Sequence, residues 1–251
     1  MNTAVADTPA ATRCAVVELR QYTLKRGQRE ALVWLFENFL IEPQEAAGMQ
    51  VIGQFQDLDD PDRFVWLRGF PDMARRAEAL QAFYGGPVWA AHRDAANGTM
   101  IDSDDVLLLR PVGSGFALDG LERAARASAP RSPARLEAVV CPVEAHSEEP
   151  VRRWFEARIA PQLRANGAEV LGAFATETAA NTFPRLPVRE GERVFAWFAR
   201  FDSAAALAGW EQRRESLADW RRDDAALRAM LAGPPAVLRL APTARSRLGA
   251  P

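Results

Sequence analysis

The chain repeats itself. Phe36-Glu37, Ile41, Pro43-Gln44, Gly48 and Val51 to Phe55 return as Phe155-Glu156, Ile159, Pro161-Gln162, Gly167 and Val170 to Phe174, at a spacing of 118–119 residues. Phe64 to Phe70 returns as Phe195 to Phe201 at a spacing of 131, and Trp89/Trp220 and Pro111/Pro242 keep that spacing. An internal repeat restricts the fold strongly, because each unit must bury its apolar face and a second copy is at hand to cover it. The jump from 119 to 131 places an insertion around residues 177–190, and Asn181, Pro184, Pro187 and Gly191 mark that stretch as a loop. Between the copies, residues 112–134 are rich in Gly, Ala, Ser, Arg and Pro and read as a linker, with a short helix expected over 118–129.

Each copy has the same order of elements. In the first, alternation and β-branched residues predict a strand over 16–24. A helix follows over 28–47, with Leu32, Leu35, Phe36, Phe39 and Leu40 on one face and Gly48 as its stop. Strands are expected over 51–55 and 63–70, joined by the Asp-rich turn 57–62. Asp72 caps a helix to about Phe83, Pro87 opens another to about Asn97, and 106–110 is the last strand. In the second copy the last helical stretch reads as one helix from Ser203 to about Leu231.

The order β-α-β-β-α-β is that of a ferredoxin-like unit. Such a unit carries helices on one face of a four-stranded antiparallel sheet, and its bare face must be buried. The expected fold is therefore α+β: two tandem ferredoxin-like units whose sheets pack into an eight-stranded arrangement of the dimeric α/β-barrel type. The boundaries read as a disordered tail over 1–13, a first domain over 14–111, the linker over 112–134, a diverged second domain over 135–242 and a tail over 243–251.

Composition narrows the function. Lys and Arg number 31 against 33 Asp and Glu, so no basic surplus speaks for nucleic acid. No apolar run reaches the ~18–20 residues of a membrane helix. The first thirteen residues lack the form of a secretion signal, so a cytoplasmic protein is expected. An Arg- and Ala-rich composition with the single lysine Lys25 points to a GC-rich, bacterial source. Two distant cysteines, Cys14 and Cys141, make neither a disulfide framework nor a zinc site. The two histidines, His92 and His146, stand in no metal-binding spacing, and neither a nucleophile elbow nor a glycine-rich phosphate loop is present. No metal and no cofactor are expected.

Residues 18–27, Glu-Leu-Arg-Gln-Tyr-Thr-Leu-Lys-Arg-Gly, resemble the opening of NIPSNAP-family domains, and Gly53 with Phe55, the Trp66 strand and the helix carrying Trp89 continue the likeness. The resemblance covers most of 14–111 and, more weakly, 135–242. It implies the dimeric α/β-barrel superfamily, which includes cofactor-free monooxygenases, heme-degrading enzymes, isomerases, cyclases and dehydratases. The second copy departs from the signature: Glu18 faces Glu137, but Arg20 becomes Val139 and Tyr22 becomes Cys141.

Acid–base and hydrogen-bond chemistry is what remains. Glu18, Arg20 and Tyr22 alternate and share one face of their strand. They make either a structural ion pair at the sheet–sheet seam or a pocket wall. In a wall, Arg20 would hold a carboxylate or enolate and Tyr22 would donate a proton. His92 and Tyr84 complete the set of candidate catalytic residues, with Glu18, Trp34, Trp66 and Trp89 as candidate substrate contacts, and with Trp154, Trp210 and Trp220 as either core or the lining of an aromatic ligand cavity. The expected role is a cofactor-independent enzyme (oxygenase, isomerase or cyclase type) on an apolar or aromatic small molecule, with its site in the first copy. The alternative is a binding or interaction module without catalysis. The chain is expected to be a self-contained pseudo-dimer, with exposed helix faces open to a homodimer, and its partner a small-molecule ligand rather than nucleic acid or membrane.

Overall fold

A computed structural model describes residues 14–126 and 132–249. The expected tail over 1–13, the end of the expected linker helix and residues 250–251 lie outside them. In the first half, β1 (Val16–Leu24) leads into α1 (Arg29–Leu35), a widened π-type turn (Phe36–Leu40) and α2 (Ile41–Ala46). Then come β2 (Gln50–Asp57), β3 (Arg63–Phe70), α3 (Met73–Tyr84), α4 (Pro87–Thr99) and β4 (Met100–Val112). The second half repeats the order with β5 (Arg135–Pro142), α5 (Glu148–Trp154), a π-type turn (Phe155–Ile159), α6 (Ala160–Ala165), β6 (Glu169–Thr176), β7 (Val194–Phe201), α7 (Ala204–Arg214), α8 (Ala218–Arg228) and β8 (Ala236–Pro242).

The eight strands close into one antiparallel barrel in the order β1-β3-β2-β8-β5-β7-β6-β4. Within the halves the ladders are long, as in β1–β3 from Val16↔Phe70 to Thr23↔Arg63. The two seams are short: β2–β8 pairs Phe55, Gln56 and Asp57 with Pro242, Ala241 and Leu240, and β4–β6 runs from Leu109↔Thr176 to Val112↔Ala173. Strand alternation sorts each strand's residues into two cores. Val17, Leu19, Val65, Leu67, Leu107 and Leu109 point into the barrel and meet Ala138, Phe174, Phe198 and Leu240 of the second half. The opposite faces meet the helices, in one cluster for each half.

The structure differs from the sequence reading at five places. The helix expected over 28–47 is interrupted by the turn at 36–40, and its counterpart by the turn at 155–159. Pro43 and Pro161 give the reason. A proline inside a helix clashes with the carbonyl four residues back, and the widening lies over that carbonyl in both halves. The helix expected over 203–231 is two helices. Between them the Ser216 hydroxyl donates to the Arg213 carbonyl (2.8 Å), and Leu217 is extended. Residues 118–126 are not helical. Instead Leu118 and Phe116 plug the barrel, with the Phe116 ring 4.6 Å from Phe174. The strand expected over 106–110 is longer: β4 begins six residues earlier and takes in Asp102, Asp104 and Asp105. The 243–249 tail is packed: Leu248 is buried in the barrel core, and Arg245 is tied to Glu37 and Glu42. No helix among the described residues is long and apolar enough to cross a membrane.

Candidate functional site

The residues that the alternation of β1 sends outward meet α3 and the π-type turn rather than the barrel interior. This corrects the placement of Glu18, Arg20 and Tyr22 at a sheet–sheet seam. Register sets Glu18 beside Arg68 and Arg20 beside Trp66 on β3. The Glu18 carboxylate accepts at Oε2 from Arg20 Nη1 and Arg68 Nε, both at 2.7 Å, and at Oε1 from Arg76 Nε at 2.6 Å. All four side chains are at most 1% exposed. Arg20 Nε also donates to the Tyr22 hydroxyl (2.9 Å), and Arg68 Nη1 donates to the Tyr84 hydroxyl (3.3 Å) and to Gln44 Oε1 (3.2 Å). The Arg68 guanidinium lies 5.0 Å from the Trp66 ring, and that of Arg20 5.6 Å from it.

Three guanidiniums share one carboxylate, so this buried cluster carries an excess of two positive charges. Burial by itself would raise the Glu18 carboxyl; Arg68, Arg20 and Arg76 overcome that and hold it well below the usual carboxylate range. Burial also lowers Arg76, which Glu18 partly offsets while Arg68 and Arg20 repel it. Burial raises the Tyr22 phenol above its ordinary value against the pull of Arg20. Arg68 Nη2, Arg76 Nη2 and Trp66 Nε1 are buried and have no hydrogen-bond partner. Buried polar groups are nearly always satisfied, so these orphaned guanidinium donors stand out beside an uncompensated charge. Because Tyr22 and Tyr84 each accept from a guanidinium, each keeps its own O–H free to donate.

Glu18, Arg20, Tyr22, Tyr84 and Trp66 are thus brought together. Trp89 stands at the edge of this group, with its ring 4.9 Å from Tyr84. His92 is not part of it. Its ring stacks on Phe39 at 4.4 Å. Trp34 is 59% exposed and lies edge-on to the same Phe39. His146 is exposed. Cys14 is half-buried and Cys141 buried, and burial pushes their thiols up to about 11 and about 12. Sequence reasoning missed Arg68, Arg76 and Gln44. The first two carried a readable signal, since the repeat sets them against Ala199 and Leu207.

The second half shows what the repeat unit looks like without this cluster. Register pairs Glu137 with Ala199 and Val139 with Trp197, where the first half has Arg68 and Trp66. Cys141, Leu207 and Glu215 replace Tyr22, Arg76 and Tyr84. Glu137 stays buried, and its carboxylate takes one bond from Arg214 (3.0 Å). Burial raises its carboxyl, and Arg214 only partly offsets this. The polar cluster therefore belongs to the first half alone.

The NIPSNAP family profile matches residues 17–114. No curated protein sequence matches the chain. Among solved structures, a candidate monooxygenase of Lactobacillus acidophilus is 11% identical, with 92% of this chain and 96% of that one covered and a TM-score of 0.55. An anthrone oxidase-like protein is 14% identical, with 91% of each chain covered and a TM-score of 0.57. A NIPSNAP family protein of Agrobacterium tumefaciens is 22% identical, covering 40% of this chain and 90% of that one, with a TM-score of 0.37. The full-length likenesses show a shared fold, here an eight-stranded antiparallel barrel closed within one chain.

Proposed function

The chain carries a NIPSNAP domain at residues 17–114, and from that premise we propose that its first half binds the oxyanion of a small apolar or aromatic molecule. We read it as a cofactor-independent enzyme of the oxygenase, isomerase or cyclase type. The observation that carries this reading is the excess of two buried positive charges, with orphaned Arg68 and Arg76 donors and two phenols free to donate. Such preorganised donors stabilise an enolate or phenolate and lower the pKa of the bound acid. The cluster holds no base: Glu18 is committed to three guanidiniums. The substrate is then one acidic enough to lose its proton to solvent on binding. The anthrone oxidase-like and monooxygenase-like folds accord with that chemistry, since an enolate is what reacts with oxygen without a cofactor. The order β4-β1-β3-β2 followed by β8-β5-β7-β6 supports reading the halves as tandem ferredoxin-like units, of which only the first kept its polar site.

Binding of 4-nitrophenol tests this. The site should take it as phenolate at a pH where free probe is mostly neutral, visible as growth of the phenolate absorption band. Tyr22→Phe with Tyr84→Phe should remove most of that band while the barrel stays folded. Probe bound as neutral phenol would refute the reading. The other reading, a binding module without turnover, is favoured by the commitment of Glu18 to three guanidiniums, which leaves the cluster without a base. Oxygen uptake with anthrone-type substrates separates the two.

A further inference from the structure

The insertion between β6 and β7 belongs to the second half by sequence, yet its tip lies on the first half's cluster. Arg76 Nη1 donates to Asn181 Oδ1 (2.9 Å) and Thr182 Oγ1 (3.3 Å), and the Thr182 hydroxyl donates to the Met73 carbonyl (3.0 Å). The buried Phe183 ring stacks on Tyr84 at 6.1 Å and 29°. Phe183 and Leu186 join the first half's helix-side core. The tip is a compact turn, closed by Phe183 N–H to Asn181 Oδ1 and Leu186 N–H to the Phe183 carbonyl, both at 3.0 Å. Its legs leave a cavity of about 350 Å³ between them, lined by Leu107, Leu108, Glu177 and Arg189 among others. The corresponding β2–β3 connection of the first half is the short turn over 58–62. The insertion is therefore present in one half only, and the guanidinium it caps is present only in the other.

We infer that the 181–183 tip occupies the ligand's place, and that the ligand is an aryl-substituted carboxylate, with its carboxylate on Arg76 and its ring against Tyr84. This rests on the anion-binding reading above and names a class of ligand for that site, one whose carboxylate is already ionised before it binds. The tip presents an amide oxygen and a phenyl ring; an arylalkanoate presents the same two groups. The amide is neutral and leaves the cluster's charge uncompensated. A carboxylate supplies the missing charge and makes the stronger, charge-assisted bonds. The ligand and the tip compete, so loosening the tip raises apparent affinity by enlarging the competent fraction.

Titration calorimetry on the full chain with 3-phenylpropionate, its neutral amide and acetate, together with amide hydrogen exchange, provides the test. 3-Phenylpropionate should bind about tenfold or more tighter than its amide, as expected for a charge-assisted contact. Asn181→Ala and Phe183→Ala should each tighten it by about tenfold. In the complex, peptides spanning 177–193 should exchange faster while β1 and β3 stay protected. Weaker binding by Phe183→Ala, or greater protection of the strap in the complex, would show the tip closing over the ligand and overturn its displacement. Acetate binding with an unmoved strap and no preference for the aryl acid would overturn the ligand class and leave the anion site standing. No binding of any of the three probes, to wild type or to Phe183→Ala, would overturn both.

Discussion

At the scale of residues, the informative contrast is between Glu18 and Glu137. They occupy equivalent strand positions and are both buried, yet they have opposite electrostatics. Glu18 neutralises part of three guanidiniums, so Glu18→Gln leaves uncompensated buried charge and should cost about 3–5 kcal/mol in urea unfolding. Its folded-state pKa is depressed, so the stability it supplies is present above the unfolded carboxyl value, ~4.3, and is lost as pH falls below it. Wild type and Glu18→Gln should therefore converge in stability as the solution is acidified below about pH 4. Glu137 is shifted the other way by burial, so its ionised form is the costly one. Its partner Arg214 reaches solvent, so Glu137→Gln should leave neutral-pH stability unchanged or higher. A large loss in Glu137→Gln would contradict this assignment. The cluster was half readable in the chain. Glu18, Arg20 and Tyr22 stand out by alternation on one strand, whereas Arg68 and Arg76 lie in other elements and join them only through β1–β3 register and α3 packing.

At the scale of elements, strands and caps followed local chemistry closely. β1 and β3 have the bounds expected, β1 from its alternation and β3 from its apolar run, and Asp72 and Ser203 cap α3 and α7 through Arg75 N (2.7 Å) and Ala206 N (3.1 Å). Deviations arise where a residue's role is set from outside its own element. The segment 243–249 carries no strand or helix pattern, but Leu248 fills the barrel core, with its N–H on the Ile52 carbonyl (3.3 Å). Leu248→Ala should therefore cost about 2–5 kcal/mol, a core value rather than that of a tail. Thermal melts of this variant and of a chain ending at Pro242 would check it, and an unchanged Tm would show the segment to be dispensable.

At the scale of the whole molecule, both seams of the barrel are made within the chain. No strand edge of the barrel is left to pair with a second copy. Light scattering should give the mass of one chain, and a dimer mass would mean that an outer helix face is the interface. Because the seams are the shortest ladders, backbone amides of β2–β8 and β4–β6 should exchange before those of β1–β3 and β5–β7.

The repeat, the order of elements, the barrel they must form and the restriction of polar chemistry to the first half are all consequences of local pattern, since alternation, caps and breakers act over a few residues. The tertiary structure alone decided which side of the sheet the charged strand residues face, that three arginines share one carboxylate, and that a loop of the second half covers the site of the first. The contacts of Arg76 show the range involved: it is joined to Glu18 across 58 positions and to Asn181 across 105. Contacts at that range are set by barrel closure and packing, and no short-range pattern encodes them.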